Sequence, residues 1–264
     1  MSKNYKNYLI KKSIKKPHTN TYYAAQGVTV IDDSIYVTYY DTKGINYSIV
    51  DVIDEKNNKT ITLNNKSHVG GISYCDINKK VYISNNSYVN IYNLIDFKYE
   101  NNLKEVNKFK VHDDISIASY LTVYKNNLYA GKFDKDSNTK LGIYEINGLD
   151  TSLVKLIDVP FKKVQGLAIY EYKDELYYLF SCSFGRRSNS SLIVSKLVNN
   201  KFVFIDELIL PCMLEQVSIY NKELVMVFDS DSLHYNVNII NCAKEKIKDV
   251  LYLDINKYLK DIIK

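Results

Sequence analysis

Short runs in which apolar and polar residues alternate fill most of this chain, and five of them open alike. Gln26-Gly27-Val28-Thr29-Val30, Gly70-Gly71-Ile72-Ser73-Tyr74, Ser119-Tyr120-Leu121-Thr122-Val123, Gln165-Gly166-Leu167-Ala168-Ile169 and Glu215-Gln216-Val217-Ser218-Ile219 each lead through a polar turn into a second, Tyr-rich apolar run. A period of two marks strands, because successive side chains of a strand point to opposite faces. The openings recur every 44 to 50 residues, the spacing of a four-stranded unit repeated around an axis. The pattern predicts an all-β fold, a five-bladed β-propeller of four-stranded antiparallel blades around a central channel. The blades fall at about 26–63, 70–111, 119–159, 165–208 and 215–254 of a single domain spanning 1–264.

Blade five reads as Glu215 to Tyr220, Glu223 to Phe228, Tyr235 to Asn241 and Val250 to Asp254, complete in itself. Residues 1–25 are then an extension or a closing strand, with Tyr5 to Ile14 either adding an outer strand to that blade or replacing Val250 to Asp254. The tail from Ile255 to Lys264 is amphipathic and reads as a short helix.

Composition supports the strands: 25 Tyr and 9 Phe against 3 Pro suit a pleated, half-buried surface. A net charge of +5 is mild for 264 residues, and the densest basic stretch, Lys11 to Lys16, has no interleaved aromatic residue. Nucleic acid is therefore not an expected partner. Cys75, Cys182, Cys212 and Cys242 have no C-x-x-C spacing and sit mostly in apolar runs, as buried free thiols do. No apolar run reaches the length of a signal core or a membrane span, which predicts a monomer without a membrane partner, cytoplasmic or the mature form of a secreted protein.

In a four-stranded blade the start of the first strand and the end of the second lie at the same mouth of the channel. That geometry gathers Gln26, Gly70, Ser119, Gln165 and Glu215, with His68 two residues before Gly70, inside a rim that includes Asp41, Ser183, Arg186 and Asp229. Packing alone would put small or apolar residues at such equivalent positions, whereas convergent polar groups in a concavity mark a ligand site. Glu215 is the only carboxylate of the inner ring, and desolvation would raise its pKa into a range useful for acid or base work. His68 is the second candidate catalytic group, as base, donor or metal ligand. Ser183 and Arg186 belong to the polar loop Ser183-Phe184-Gly185-Arg186-Arg187-Ser188, a charge-assisted pocket for carboxylate, sulfate or phosphate oxygens. Calcium is the one cofactor the oxygen set Gln26, Ser119, Gln165 and Glu215 suggests, although a single formal charge predicts poor affinity.

Some of these residues carry resemblances. Gln165-Gly166-Leu167 with the Ser183–Ser188 loop is similar to the plant-type glutaminyl cyclotransferases, although Ser181-Cys182-Ser183 stands where that family has a Glu-Ser pair. Ser119 and Glu215 resemble part of the oxygen ring of five-bladed, calcium-dependent apyrases, and Glu215 with a rim Asp is a reduced version of the carboxylate set of five-bladed glycosidases. His68-Val69-Gly70-Gly71, Val164-Gln165-Gly166 and Ser183-Phe184-Gly185-Arg186 look like bacterial propeller proteins without assigned activity. The sequence thus points to a propeller that binds a small polar, anionic ligand at its channel mouth. A hydrolase or cyclotransferase using Glu215, and a protein-interaction scaffold, are the alternatives.

Overall fold

The computed structural model describes residues 3–10, 13–54, 57–236 and 242–263. Five sheets stand around one axis, and the innermost strand of each packs beside the innermost strands of its two neighbours. Blade one holds Tyr23–Ile31, Ser34–Asp41, Ile49–Ile53 and Asn58–Leu63, with Asn102–Leu103 added in parallel at its edge. Ile72–Cys75, Lys80–Asn85, Tyr88–Asn93 and Asn107–Lys110 form blade two, and Tyr120–Tyr124, Asn127–Gly131, Thr139–Asn147 and Asp150–Val159 form blade three. Blade four is Val164–Tyr172, Glu175–Cys182, Ser190–Val198 and Lys201–Leu210.

Tight turns set the registers of the inner hairpins. Asp32-Asp33, Lys173-Asp174 and Asn221-Lys222 each place two consecutive residues at positive φ, the backbone of a two-residue hairpin turn whose twist matches the flanking strands. Five apolar clusters lie between the blades, one at each interface around the ring. The inner strands are buried on both faces while the outer ones are partly exposed, and the apolar contacts lie between blades rather than within one.

The ring closes with an N-terminal outer strand, as the sequence allowed, but on a blade whose third strand differs from the expected one. Blade five runs Leu214–Tyr220, Glu223–Phe228 and Asp249–Asp254, and its outermost strand is the N-terminal pair Ile14–Lys15, antiparallel to Asp249–Asp254. Tyr235 closes a 3-10 turn, Leu233–Tyr235, rather than opening the third strand, and residues 237–241 lie outside the described residues. Two more bonds to the same stretch of chain lie on either side of this pair, the Ile10 N–H donating to the Tyr252 carbonyl and the Lys16 N–H to the Lys248 carbonyl. Lys16 anchors the closure. Its ammonium is buried, 2.5 Å from Asp231 Oδ1, and also donates to the Phe228 carbonyl.

A short helix, Leu94–Tyr99, follows the third strand of blade two, and its Phe97 packs against Tyr36 and Tyr92. The amphipathic tail forms the helix Ile255–Ile262, capped by Asp254 accepting from the Lys257 N–H at 2.9 Å. Cys75, Cys182 and Cys212 are buried, Cys242 is half-buried, and none of the four is in a disulfide.

Candidate functional site

The innermost strands begin with irregular pairing. Partner residues skip Gln26 between Ala25 and Gly27, Gln165 between Val164 and Gly166, and Glu215 with Gln216 between Leu214 and Val217. A bulge leaves one residue out of the ladder and re-aims its side chain; here it turns Gln26, Gln165 and Glu215 into the mouth. Hydroxyls of the second strands take up the freed groups. Thr38 Oγ1 accepts from the Gly27 N–H and donates to the Val69 carbonyl, both at 2.8 Å, and Ser84 Oγ accepts from the Gly71 N–H at 2.8 Å. Ser181 Oγ donates to the Glu215 carbonyl at 2.6 Å. Val69 itself sits at φ 45°, costly for a β-branched residue, and its carbonyl is fixed by Thr38.

Beneath the mouth the channel is plugged. The buried Gln216 side chain lies across the axis, Nε2 donating to the Ile72 and Leu121 carbonyls at 2.8 and 3.0 Å, Oε1 accepting from the Ile72 and Val28 N–H groups at 2.9 and 3.1 Å. One side chain of blade five thus ties blades one, two and three. Room for it depends on Gly27, where a Cβ would come 2.8 Å from Gln216 Oε1 and 2.5 Å from Thr38 Oγ1. Sequence reasoning passed over Gln216 as one strand residue among many; the signal was a long polar side chain where three other blades carry glycine.

Above the plug lies a cavity of about 750 Å³. Gln26, Ser119, Gln165 and Glu215 line it, as do His68, Ser183 and Arg186, whereas Arg187 does not. The remaining sequence candidates sit elsewhere. Gly70 packs its backbone on blade three, with the Ser119 carbonyl 2.0 Å from where a Cβ would stand. Asp41 accepts from the Lys43, Ile45 and Asn46 N–H groups and so shapes its own loop, which holds its carboxyl below the ordinary range despite partial desolvation. Asp229 is buried next to Glu215 rather than exposed at the rim, and neither of its carboxyl oxygens has a hydrogen-bond partner among the described residues.

The two walls of the cavity differ in charge. On the side of blades three and four stand Lys135, Lys163 and Arg186, the first two not marked by the sequence because they come from turns. Asp134 accepts from the Asp136 and Ser137 N–H groups at 2.9 Å and shapes the turn that carries Lys135. Lys163 Nζ lies 5.4 Å from the Phe184 ring centre, and its carbonyl accepts from the Ser183 N–H at 3.0 Å. Ile117, Phe133 and Phe184 add apolar surface.

The opposite wall carries Glu215, His68 and Tyr235. Burial pushes the Glu215 carboxyl well above the usual range, and Asp229 pushes it further, against a smaller opposite pull from Lys16. Burial likewise raises Asp229, with Lys16 pulling it down and Asp231 pushing it up. Both carboxyls therefore hold their protons well above the pH at which exposed carboxylates lose them. His68 stacks on Tyr40, ring centres 4.1 Å apart. Enclosing protein pushes its imidazole down to about 4, and because the ring is open to the cavity, water there offsets part of that push. It is neutral near pH 7. Desolvation raises the Tyr40 and Tyr235 hydroxyls as well, leaving both as phenols. A calcium ion would meet a single, protonated carboxyl at this mouth, a set poor in the charge such an ion needs, and no cluster of three or more His, Cys, Asp or Glu side chains placed for a metal occurs among the described residues.

No family model matches the sequence, and no curated protein does. Solved structures match in shape. Glutaminyl cyclase of Myxococcus xanthus aligns with a TM-score of 0.57 at 10% identity over 84% of this chain and 91% of that one. The WD40 propeller domain of Doa1 aligns at 0.46 and 12% identity over 84% and 66%, and a mitotic checkpoint complex at 0.47 and 10% identity over 88% and 74%. No helix among the described residues is long and apolar enough to cross a membrane. The chain is a five-bladed β-propeller, and what it shares with the cyclase is architecture.

Proposed function

We propose that the cavity binds a small molecule with an anionic group and a partly apolar body. The observation that supports this is the arrangement of Lys135, Lys163 and Arg186 on one wall of a pocket closed by Gln216, opposite an uncharged Glu215. Cations near a low-dielectric concavity attract carboxylate or phosphate, and Arg adds a planar fork for two oxygens. Phe133 and Phe184 take the apolar part, while Gln26, Ser119 and Gln165 orient polar substituents. A thermal-shift panel of small carboxylates, phosphates and sulfates tests the reading, since a ligand of the folded state alone raises its midpoint. An anion should raise the midpoint in the wild type and lose that effect in Arg186→Ala and Lys163→Ala. Absence of any anion-dependent shift overturns the proposal.

One feature favours an enzyme as the second reading. Glu215 faces the cavity as a protonated acid and His68 as a neutral base, the division of roles that acid–base catalysis requires. Hydrolysis or cyclisation of the bound molecule is the reaction class this pair would serve. Glu215→Gln separates the readings: a binding protein keeps its affinity, and an enzyme loses turnover by a hundredfold or more with little change in affinity (roughly the worth of a general acid).

A further inference from the structure

The far mouth of the channel is a separate chamber. Below Gln216 the inner strands carry Thr29, Ser73, Thr122 and Ser218, four hydroxyls at equivalent positions in four blades, with Ala168 in the fifth. They line a cavity of about 460 Å³, within the size of small-molecule pockets. Thr29 and Thr122 are each 7% exposed and donate no hydrogen bond to any described residue. Ser73 Oγ accepts from the Val123 N–H at 2.9 Å and keeps its own proton to donate, and the enclosed Ser218 Oγ has no hydrogen-bond partner among the described residues. Strand residues that served packing alone at these positions would be Val or Ala. Four blades instead hold hydroxyls with unused capacity, and a buried polar group without a partner is unfavourable unless something else satisfies it.

The rim completes the chemistry. Tyr74, Tyr124 and Tyr170 border the chamber, and burial raises all three hydroxyls, so they stay uncharged. Glu171 is the one carboxylate there, held ionised by the Tyr124 hydroxyl at 2.8 Å and by Lys125 at 3.5 Å; both use Oε2, leaving Oε1 for a ligand. We propose that this chamber is a second binding site, for a neutral polyol of monosaccharide size. Aromatic faces cover the C–H side of such a molecule, the Thr and Ser hydroxyls exchange hydrogen bonds with its hydroxyl groups, and the Glu171 carboxylate accepts from one more. With Glu171 compensated by Lys125 and no other charged residue in the lining, the chamber offers little to an anion or to a cation.

Saturation-transfer NMR on the full chain, with glucose and myo-inositol as probes and glucuronate as the charged comparison, tests the site. Both neutral probes should receive saturation, and glucuronate less. Thr29→Val/Thr122→Val removes two hydroxyls with little change of shape and should weaken binding at least tenfold; Glu171→Gln, at the exposed rim, should weaken it several-fold; Arg186→Ala, at the other mouth, should leave it unchanged. Lack of transfer to either neutral probe, or transfer undiminished in both the Thr double variant and Glu171→Gln, overturns the proposal. Because neither result involves an anion, failure here is distinguishable from failure of the first site.

Discussion

Gln216 holds more of the ring together than any other single polar side chain described. Replacing it with Leu keeps its bulk but strands two N–H groups and two carbonyls of blades one, two and three. Each unsatisfied buried group costs about 1–3 kcal/mol. With partial repair by water, the loss should be about 3 kcal/mol, read from the urea midpoint at constant slope; a loss below 1 kcal/mol would mean that the amide merely fills space. Asp229 behaves oppositely. Its folded-state pKa is raised, while the unfolded carboxyl titrates near about 3.9. Between those two values the folded chain keeps a proton the unfolded chain has released, so stability falls as pH rises from about 4 towards the raised value. Asp229→Asn removes that dependence. Its urea midpoint relative to wild type should improve steadily as pH rises from about 4 towards that raised value, and a difference independent of pH would show that Asp229 is ionised in the fold.

At the level of elements, the weakest link is the two-residue strand Ile14–Lys15, which closes blade five with little ladder of its own. What secures it is Lys16, buried against Asp231. Breaking a buried ion pair from one side leaves an uncompensated charge and costs about 3–5 kcal/mol. Lys16→Met should therefore lower stability by about that amount, and Lys16→Met/Asp231→Asn should recover part of it in a double-mutant cycle. Equal losses in the single and double variants would remove the ion pair from the account of ring closure. This element also shows where the sequence stops being legible. The inner strands were readable because each repeats the same alternation, and Asp32-Asp33 announces a turn by composition. The N-terminal segment was legible only as a candidate outer strand over Tyr5 to Ile14, because two strand residues inside a lysine-rich stretch carry no register; the pairing of Ile14–Lys15 is set once Asp249–Asp254 takes the third position and leaves an edge to fill. The candidate site was legible to the same degree. Residues at the start of an inner strand, such as Gln26 and Glu215, were marked by the repeat, whereas Lys135 and Lys163 reach the cavity from turns that no repeat specifies.

Over the whole molecule, the axis separates two chambers of opposite character. Gln216 divides them: above it three cations face a protonated acid, and below it neutral hydroxyls and phenols surround one carboxylate. Electrostatics should therefore distinguish the two ends even though a single channel connects their architecture. Lys135 is exposed and Lys163 and Arg186 are half-buried, so counter-ions reach them, and the screening length shrinks from about 30 Å at 0.01 M salt to about 10 Å at 0.1 M. An anion bound at the first mouth should lose affinity severalfold over that range, measured by calorimetry with whichever carboxylate or phosphate the thermal panel selects. Glucose at the second mouth has no charge to screen and should bind equally at both salts. Parallel salt dependence of the two ligands would mean that they share one site. In that case Gln216 would not be a partition, and the channel would act as one continuous pocket.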